Sequence, residues 1–596
     1  MSRILKMFSC SCWLLLCHCN NEAGLSAGQP DASNQGADAA VAGGGVAGTL
    51  GTGGATGTGG FGGAGGDAGG SIATGGGETG GAGGVAALGG GTSVSGATSM
   101  GGTQPTGGIP ITGGTAGLGG VASAGGVGTG GATVGGRTSA GGSSGPTGGA
   151  NGGAGAGGSN GTCGSGDSNM PAEPTIPTAC ATLQATQNVL AGDVPNETSL
   201  DTSAIQKALT ACASGQAVKL TTNGANNAFT TGPLTIPSGV TLWVDAGTTL
   251  YATRDTKVWA SATQLISVRG SQSGIVGDGI IDGQGGEPNL GSTQSWWDQN
   301  AGSNGNSPAL IAVAGATNFT LYRITLQNSP KFHVKLAAAG FVVWGVTIKT
   351  PSKSTNSAGT ALTYSNAHNT DGIDPGEAAS AGYIVCSKIS TGDDQIAIKG
   401  SSSTGVRNLV IAHNHFGAGH GMSVGSEFTG GVSEINVYDL SIDGLDMGTS
   451  GGSSNGIRIK SDSSRGGLVN NVTYSDVCVR NLSNPILLTP TYSTATGSLI
   501  PQYTNIKIQN FHGVGGGSNT PQVTLDGYDS SHVNSITLDN VVIDGISPAN
   551  VSASYTNVTL GPGAVNFTPS GTGVNVTNNI AGSSTPNPCT NKWVTF

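Results

Sequence analysis

The chain has 596 residues, a formal charge of −10 and only 9 % charged residues. That balance argues against a nucleic-acid partner and supplies no general attraction for an acidic polymer, so any grip on an anion must come from local cations. Glycine contributes 110 residues, most of the excess lying before residue 162; without that region roughly 430 residues remain, ample for a large core.

In chain order, the first segment reads as an export signal. Arg3 and Lys6 precede a short apolar stretch from Met7 to Cys17, around Trp13-Leu14-Leu15-Leu16, too short to span a bilayer. The Leu-rich run ending in cysteine resembles a bacterial lipoprotein leader, with Cys17 or Cys19 as the lipid-bearing residue. The expected division is a leader over 1–19, a Gly/Ala/Thr/Ser linker over 20–175 and a folded domain over 176–596. The linker cannot bury enough apolar surface to offset its ordering entropy, which makes it a disordered, flexible tether.

Ten cysteines are present. Cys10, Cys12, Cys17 and Cys19 belong to the leader, and Cys163, Cys180, Cys212, Cys386, Cys478 and Cys589 lie beyond it. No pair has CxxC spacing, which argues against a zinc site. Export would allow disulfides, whose connectivity the sequence leaves open.

At Asp201 the pattern changes. Ser203-Ala204-Ile205-Gln206 reads as a capping box, and Ile205, Ala208, Leu209 and Cys212 form one apolar stripe. This predicts a short helix covering the exposed strand edges at the end of a stacked core. From Val218 onward come short runs rich in Val and Ile, such as Val240–Val244, Phe319–Tyr322, Tyr383–Cys386 and Ile457–Ile459, flanked by Gly, Ser, Asn or Asp. No helical runs separate them, which excludes a βαβ plan. Strand-turn units repeating every 20 to 30 residues or so indicate a solenoid. The expected fold is therefore all-β: a right-handed, single-stranded parallel β-helix with a short N-terminal capping helix, preceded by the disordered tether. A sandwich or propeller is the rival, but no regular blade signature is present.

The chemistry-bearing residues occur in order along this solenoid. Asn369-Thr370-Asp371 and Gly392-Asp393-Asp394 place two acidic positions, Asp371 and Asp393, 22 residues apart. With a coil near that length they become neighbours about 4.8 Å apart along the stack. A single Asp in a Gly-rich turn most often caps backbone amides, the reading given to Asp278 and Asp282. Three crowded carboxylates differ, because repulsion raises at least one pKa and leaves a proton donor. Glycoside cleavage needs one protonated carboxyl and one or more carboxylates. His420, between two glycines, is placed to hydrogen-bond an acid. Arg458 and Lys460 alternate with Ile457 and Ile459, which sends both cations to one face: either a solvated outer face, or one opposite acids or facing a substrate carboxylate.

Residues 180 to 596 resemble the polygalacturonases of glycoside hydrolase family 28. The resemblance rests on Asn369-Thr370-Asp371, Gly392-Asp393-Asp394, Gly419-His420-Gly421 and Arg458-Ile459-Lys460, in that order. Ser329-Pro330-Lys331-Phe332-His333-Val334 also looks like a family feature. The resemblance implies Asp393 as general acid, Asp371 and Asp394 as the groups that activate water, and His420 as the tuner of the acid. Asn369, Arg458, Lys460 and Tyr492 would bind substrate, the two cations through a galacturonate carboxylate. It implies inversion, no cofactor and no metal, and a pectic polysaccharide as partner; a β-helix with capped ends is expected to be a monomer. Carboxylates one coil apart would lie about 5 Å from each other, which by separation alone indicates retention. The alternatives are another pectinolytic β-helix (a rhamnogalacturonan or xylogalacturonan hydrolase, or a pectate lyase) and a non-catalytic surface carbohydrate-binding β-helix. A lyase would leave His420 and the Gly-Asp-Asp turn without a clear task.

Overall fold

The computed structural model describes residues 163–259, 262–300, 306–401, 403–444, 454–515, 520–578 and 585–596. The leader, the lipidation candidates Cys17 and Cys19, and the tether up to 162 lie outside the described residues. Among those described, no helix is long and apolar enough to cross a membrane.

The chain winds as a parallel β-helix. Each coil contributes strands to three ladders, and every ladder pairing is parallel. The first ladder stacks Leu242, Ile275, Leu321, Val343, Ile384 and Ile411 in register. The second stacks Leu250, Ile281, Leu326, Ile348 and Ile389. The third stacks Val334, Ile373, Ile396, Met422, Ile457, Ile486 and Val523. All of these side chains are buried. Alternation sends each stacked residue inward and its chain neighbours to the outer face or the groove. The Val- and Ile-rich runs of the sequence are thus the interior ladders of an all-β solenoid, as expected.

One feature of the strands differs from expectation. From Val406 on, the first and second ladders fuse into strands of 10 to 13 residues, beginning with Val406–Phe416, which pairs with both Ser380–Val385 and Lys388–Ser390. The corner between the two faces is kept by single residues at positive φ: Cys386, His413, Asp439, Asp476, Asn510 and Asn540. Asn and Asp tolerate this conformation better than other side chains. The chain therefore bends without breaking its hydrogen-bond ladder.

The helix is present over Thr202–Ala211, with Ile205 and Leu209 buried. The capping box is not. Asp201 occupies the N-cap without a side-chain cap bond, and Gln206 reaches away from the helix to the backbone N–H and C=O of Thr235 at 2.8 and 2.9 Å. Asp201 accepts the Thr230 N–H at 2.9 Å and Thr202 accepts that of Gly232 at 2.7 Å. These side chains satisfy the first coil's open edge as a further strand would. For the buried amides of Thr230 and Gly232 that need outweighs local capping, because an unpaired buried amide costs more than a cap contributes; at exposed Thr235, Gln206 adds two further bonds. The edge of the first ladder is covered by the strand Ala179–Gln184.

Residues 163–175, placed in the linker by composition, are bound to the solenoid. Cys163 is joined to Cys386. Asp167 accepts from Tyr438 at 2.7 Å and contacts His413 at 3.0 Å, and Glu173 accepts from Tyr322 at 2.6 Å. The fold thus extends back at least to Cys163. The other four cysteines among the described residues pair as Cys180–Cys212 and Cys478–Cys589.

Candidate active site

The third ladder and the turns that lead into it carry the site. Ile373 pairs with Ile396, Ile396 with Met422 and Met422 with Ile457. The first step is 23 residues, so Asp394, and not Asp393, continues the register above Asp371. His420 follows on the next turn, and Arg458 and Lys460 lie on the strand Asn455–Lys460 one coil further.

The turns are held by buried side chains. Gln395 donates to the Gly417 carbonyl at 2.8 Å and accepts from the Gly421 amide at 2.6 Å, fixing the backbone on both sides of His420. Gly421 has φ +97, and a Cβ there would stand 2.3 Å from the Gly456 carbonyl oxygen, so only glycine fits. Beneath Asp371, fully buried His333 contacts the Thr370 and Asp371 carbonyls through Nδ1 at 3.2 and 3.0 Å, and Thr350 through Nε2 at 2.8 Å. Burial lowers its pKa to about 4, so the ring is neutral.

Asp371, Asp393 and Asp394 are each under a tenth exposed. Asp394 accepts from Arg458 Nη2 at 2.5 Å and Ser423 Oγ at 2.8 Å on Oδ1, and from Lys460 Nζ at 3.1 Å on Oδ2. Burial works against its charge, but Arg458 and Lys460 prevail and hold its pKa down. Asp393 meets His420 Nδ1 at 3.0 Å and accepts its neighbour's amide at 2.8 Å. Burial again opposes ionisation, and His420, Lys460 and the amide overcome it, so Asp393 also lies below the ordinary range. His420 is buried, yet Asp393 raises its pKa, so this pair shares a proton as imidazolium and carboxylate.

Asp371 is shifted upward. Burial dominates, and Asp374, Asp393 and Asp394 add repulsion, while Lys399 opposes it. Lys399 Nζ lies 3.0 Å from Asp371 and 3.0 Å from Asp374. Burial likewise pushes Asp374 up to about 6, against Lys399.

All eight residues singled out in the sequence fall along this groove. Asn369 is half-buried at the turn before Asp371, at φ +56. The Tyr492 ring stands 4.7 Å from Lys460 Nζ and 5.9 Å from the Arg458 guanidinium carbon. The sequence left Arg458 and Lys460 three settings, a solvated outer face, a place opposite acids or one facing substrate; in the structure both are buried, which rules out the solvated face, and both meet Asp394. Asp374, Lys399 and Ser423 were not found by motif, and His333 stood within the string 329–334 without a role. A coil-by-coil alignment exposes them, because register places Ser423 beside Arg458 and Lys399 beside Gly376, below the coil that carries Lys460.

The ligand atoms of Asp393, Asp394 and His420 lie within 4.8 Å of one another. The partners of Asp394 are two cations and that of Asp393 an imidazolium, so the cluster is balanced for acid–base work; a divalent ion would have to displace these cations.

Residues 194–565 match the model of glycosyl hydrolases family 28. The chain is 41 % identical over 471 residues to a polygalacturonase of Ralstonia nicotianae, covering 70 % of this chain and 87 % of that protein. It is 39 % identical over 399 residues to an endo-polygalacturonase of Pectobacterium carotovorum subsp. carotovorum, covering 63 % and 89 %. The solved polygalacturonase of Erwinia carotovora ssp. carotovora superposes with a TM-score of 0.55 at 35 % identity, covering 69 % of this chain and all of that one. A family-wide match over this length, together with a groove of carboxylates on a parallel β-helix, makes this chain a member of glycosyl hydrolases family 28.

Proposed function

We propose that the chain hydrolyses the α-1,4-galacturonosidic bonds of polygalacturonate and related pectin, with inversion at the anomeric carbon. The observation that carries this reading is the division of labour among neighbouring acids: Asp394 pinned as a carboxylate by two cations, Asp393 sharing a proton with His420, and Asp371 one coil away. The polygalacturonase names of the relatives point the same way.

In this reading Asp393 protonates the leaving oxygen as the bond from C1 breaks. A water held by Asp371 and Asp394 adds to C1 from the opposite face and gives its proton to Asp371. Asp393, left as a carboxylate, regains a proton from solvent beside His420. The uronate carboxylate is bound by Arg458 and Lys460, with Asn369 and Tyr492 lining the groove. Lys460 is among the groups that depress the Asp393 pKa. A uronate that draws Lys460 to itself weakens that hold, so substrate binding raises the proton affinity of Asp393 when the proton is needed. Close spacing of carboxylates alone would favour retention; a water between the acid pair and C1 is what makes the reaction inverting.

The three disulfides among the described residues fit an oxidising compartment and support the reading of residues 1–19 as an export signal. Asp393→Asn keeps the shape of the acid without its proton. It should abolish turnover with the fold intact, and the anomer first released by the wild type, read by proton NMR, should be β. Near-normal turnover by Asp393→Asn, or an α product, would overturn these roles.

A further inference from the structure

One cation outside the sequence motifs, Lys399, stands between two acids, Asp371 and Asp374. Lys399 extends one coil above Asp371, and its ammonium contacts Asp371 Oδ2 and Asp374 Oδ2, each at 3.0 Å. It also lies 4.6 Å from the centre of the Phe332 ring. The ammonium is thus gripped by two acids and an aromatic face.

The charges around Asp371 come from every element packed against it. Asp374 lies on the strand Ile373–Pro375 that follows it, Asp393 and Asp394 act on it from the next turn, and Lys331 comes from the preceding turn. Lys335 pairs with Asp374 in register but is exposed. Glu427 acts on Lys399 from a later coil. Lys331 is weakened as a cation by its own burial. Lys399 is therefore the cation in direct contact with Asp371 that opposes, without overcoming, burial and three neighbouring carboxylates. Desolvation opposes its own charge, yet Asp371, Asp374 and Glu427 raise its pKa, so it remains an ammonium wherever the enzyme works.

We infer that Lys399 is a positioning residue for the hydrolytic water: anchored by Asp374, it favours the carboxylate form of Asp371 and fixes the carboxylate that receives the water's proton. This rests on the assignment of Asp371 as base. A group that only packs would leave the pH profile unchanged. A group that binds substrate would show itself in KM.

The test is the pH dependence of kcat and KM on polygalacturonate for the full chain and for Lys399→Met, Lys399→Gln and Lys399→Arg. Both neutral variants should lose about 10²-fold in kcat, with KM little changed. Their acid limb should move to higher pH by about one unit, because Asp371 then ionises later. Lys399→Arg keeps the charge with altered geometry; its acid limb should stay where the wild type has it while kcat falls. An acid limb unmoved in the neutral variants, or a rise in KM with kcat intact, would overturn the inference. Should neither neutral variant fold, Lys399→Arg decides alone, and a displaced acid limb there would overturn it. Asp371→Asn is measured alongside. Turnover in that variant would reject the base assignment itself, whereas a dead Asp371→Asn with unmoved neutral variants would reject only the role of Lys399.

Discussion

Arg458 donates to Asp394 at 2.5 Å with both side chains almost wholly buried. Its Nε also donates to Ser423 Oγ at 3.1 Å, and Ser423 donates in turn to Asp394. The guanidinium therefore fixes the orientation of the carboxylate as well as its charge. Arg458→Ala leaves a buried acid half-compensated, at a cost of about 3–5 kcal/mol in stability. Turnover should fall by at least about 10²-fold. Denaturant unfolding and steady-state kinetics on one preparation check both values. Arg458→Lys should recover stability more than rate, because a single ammonium cannot reach Asp394 and Ser423 together.

Lys460 lies between Asp394 and the Tyr492 ring. Lys460→Ala should weaken binding of oligogalacturonates by about tenfold or more, as expected for a lost charge-assisted contact, and binding of neutral galactan much less. Calorimetric titration with both ligands is the check. Equal losses would argue against a contact with the uronate carboxylate.

His420 and Asp393 hold one proton between them, and the His420 pKa is raised. The acid is ready while this pair is protonated, so activity should decline as pH climbs through the elevated His420 pKa. His420→Gln removes the imidazolium and should shift this alkaline limb to lower pH, with about a 10²-fold loss at the optimum. Rate profiles for the two proteins decide it.

Burial pushes the His333 pKa down from the ordinary 6.5 to about 4. A depressed folded-state pKa means stability that is complete above pH 6.5 and lost as pH falls towards 4. The loss amounts to about 3 kcal/mol from this ring. Ring resonances should show a neutral imidazole at pH 5, and His333→Gln should lessen the slope of stability against pH over that interval. An imidazolium at pH 5 would contradict the burial argument.

The sequence made the interior ladders legible because alternation of Ile and Val with polar residues maps directly onto a pleated strand. The four motifs were legible because each is a short, ordered string. Lys399 and Asp374 were not, since neither is in a motif and their meeting depends on register between coils. Composition hid residues 163–175: their sequence resembles the tether before them, and a disulfide to Cys386 binds them. The capping box failed at Gln206 for a related reason. Its local partner competes with the exposed strand edge at Thr235, which only the assembled coil supplies. Long-range pairing, in each case, outweighed what neighbouring residues propose.

The most direct measurement incubates the full chain with polygalacturonate at mildly acidic pH with excess chelator, following reducing ends and ultraviolet absorbance together. Hydrolysis by Asp393, Asp371 and Asp394 yields reducing ends with no gain in absorbance. Absorbance from an unsaturated product, or activity only after calcium is restored, would contradict it and place the groove among the lyases.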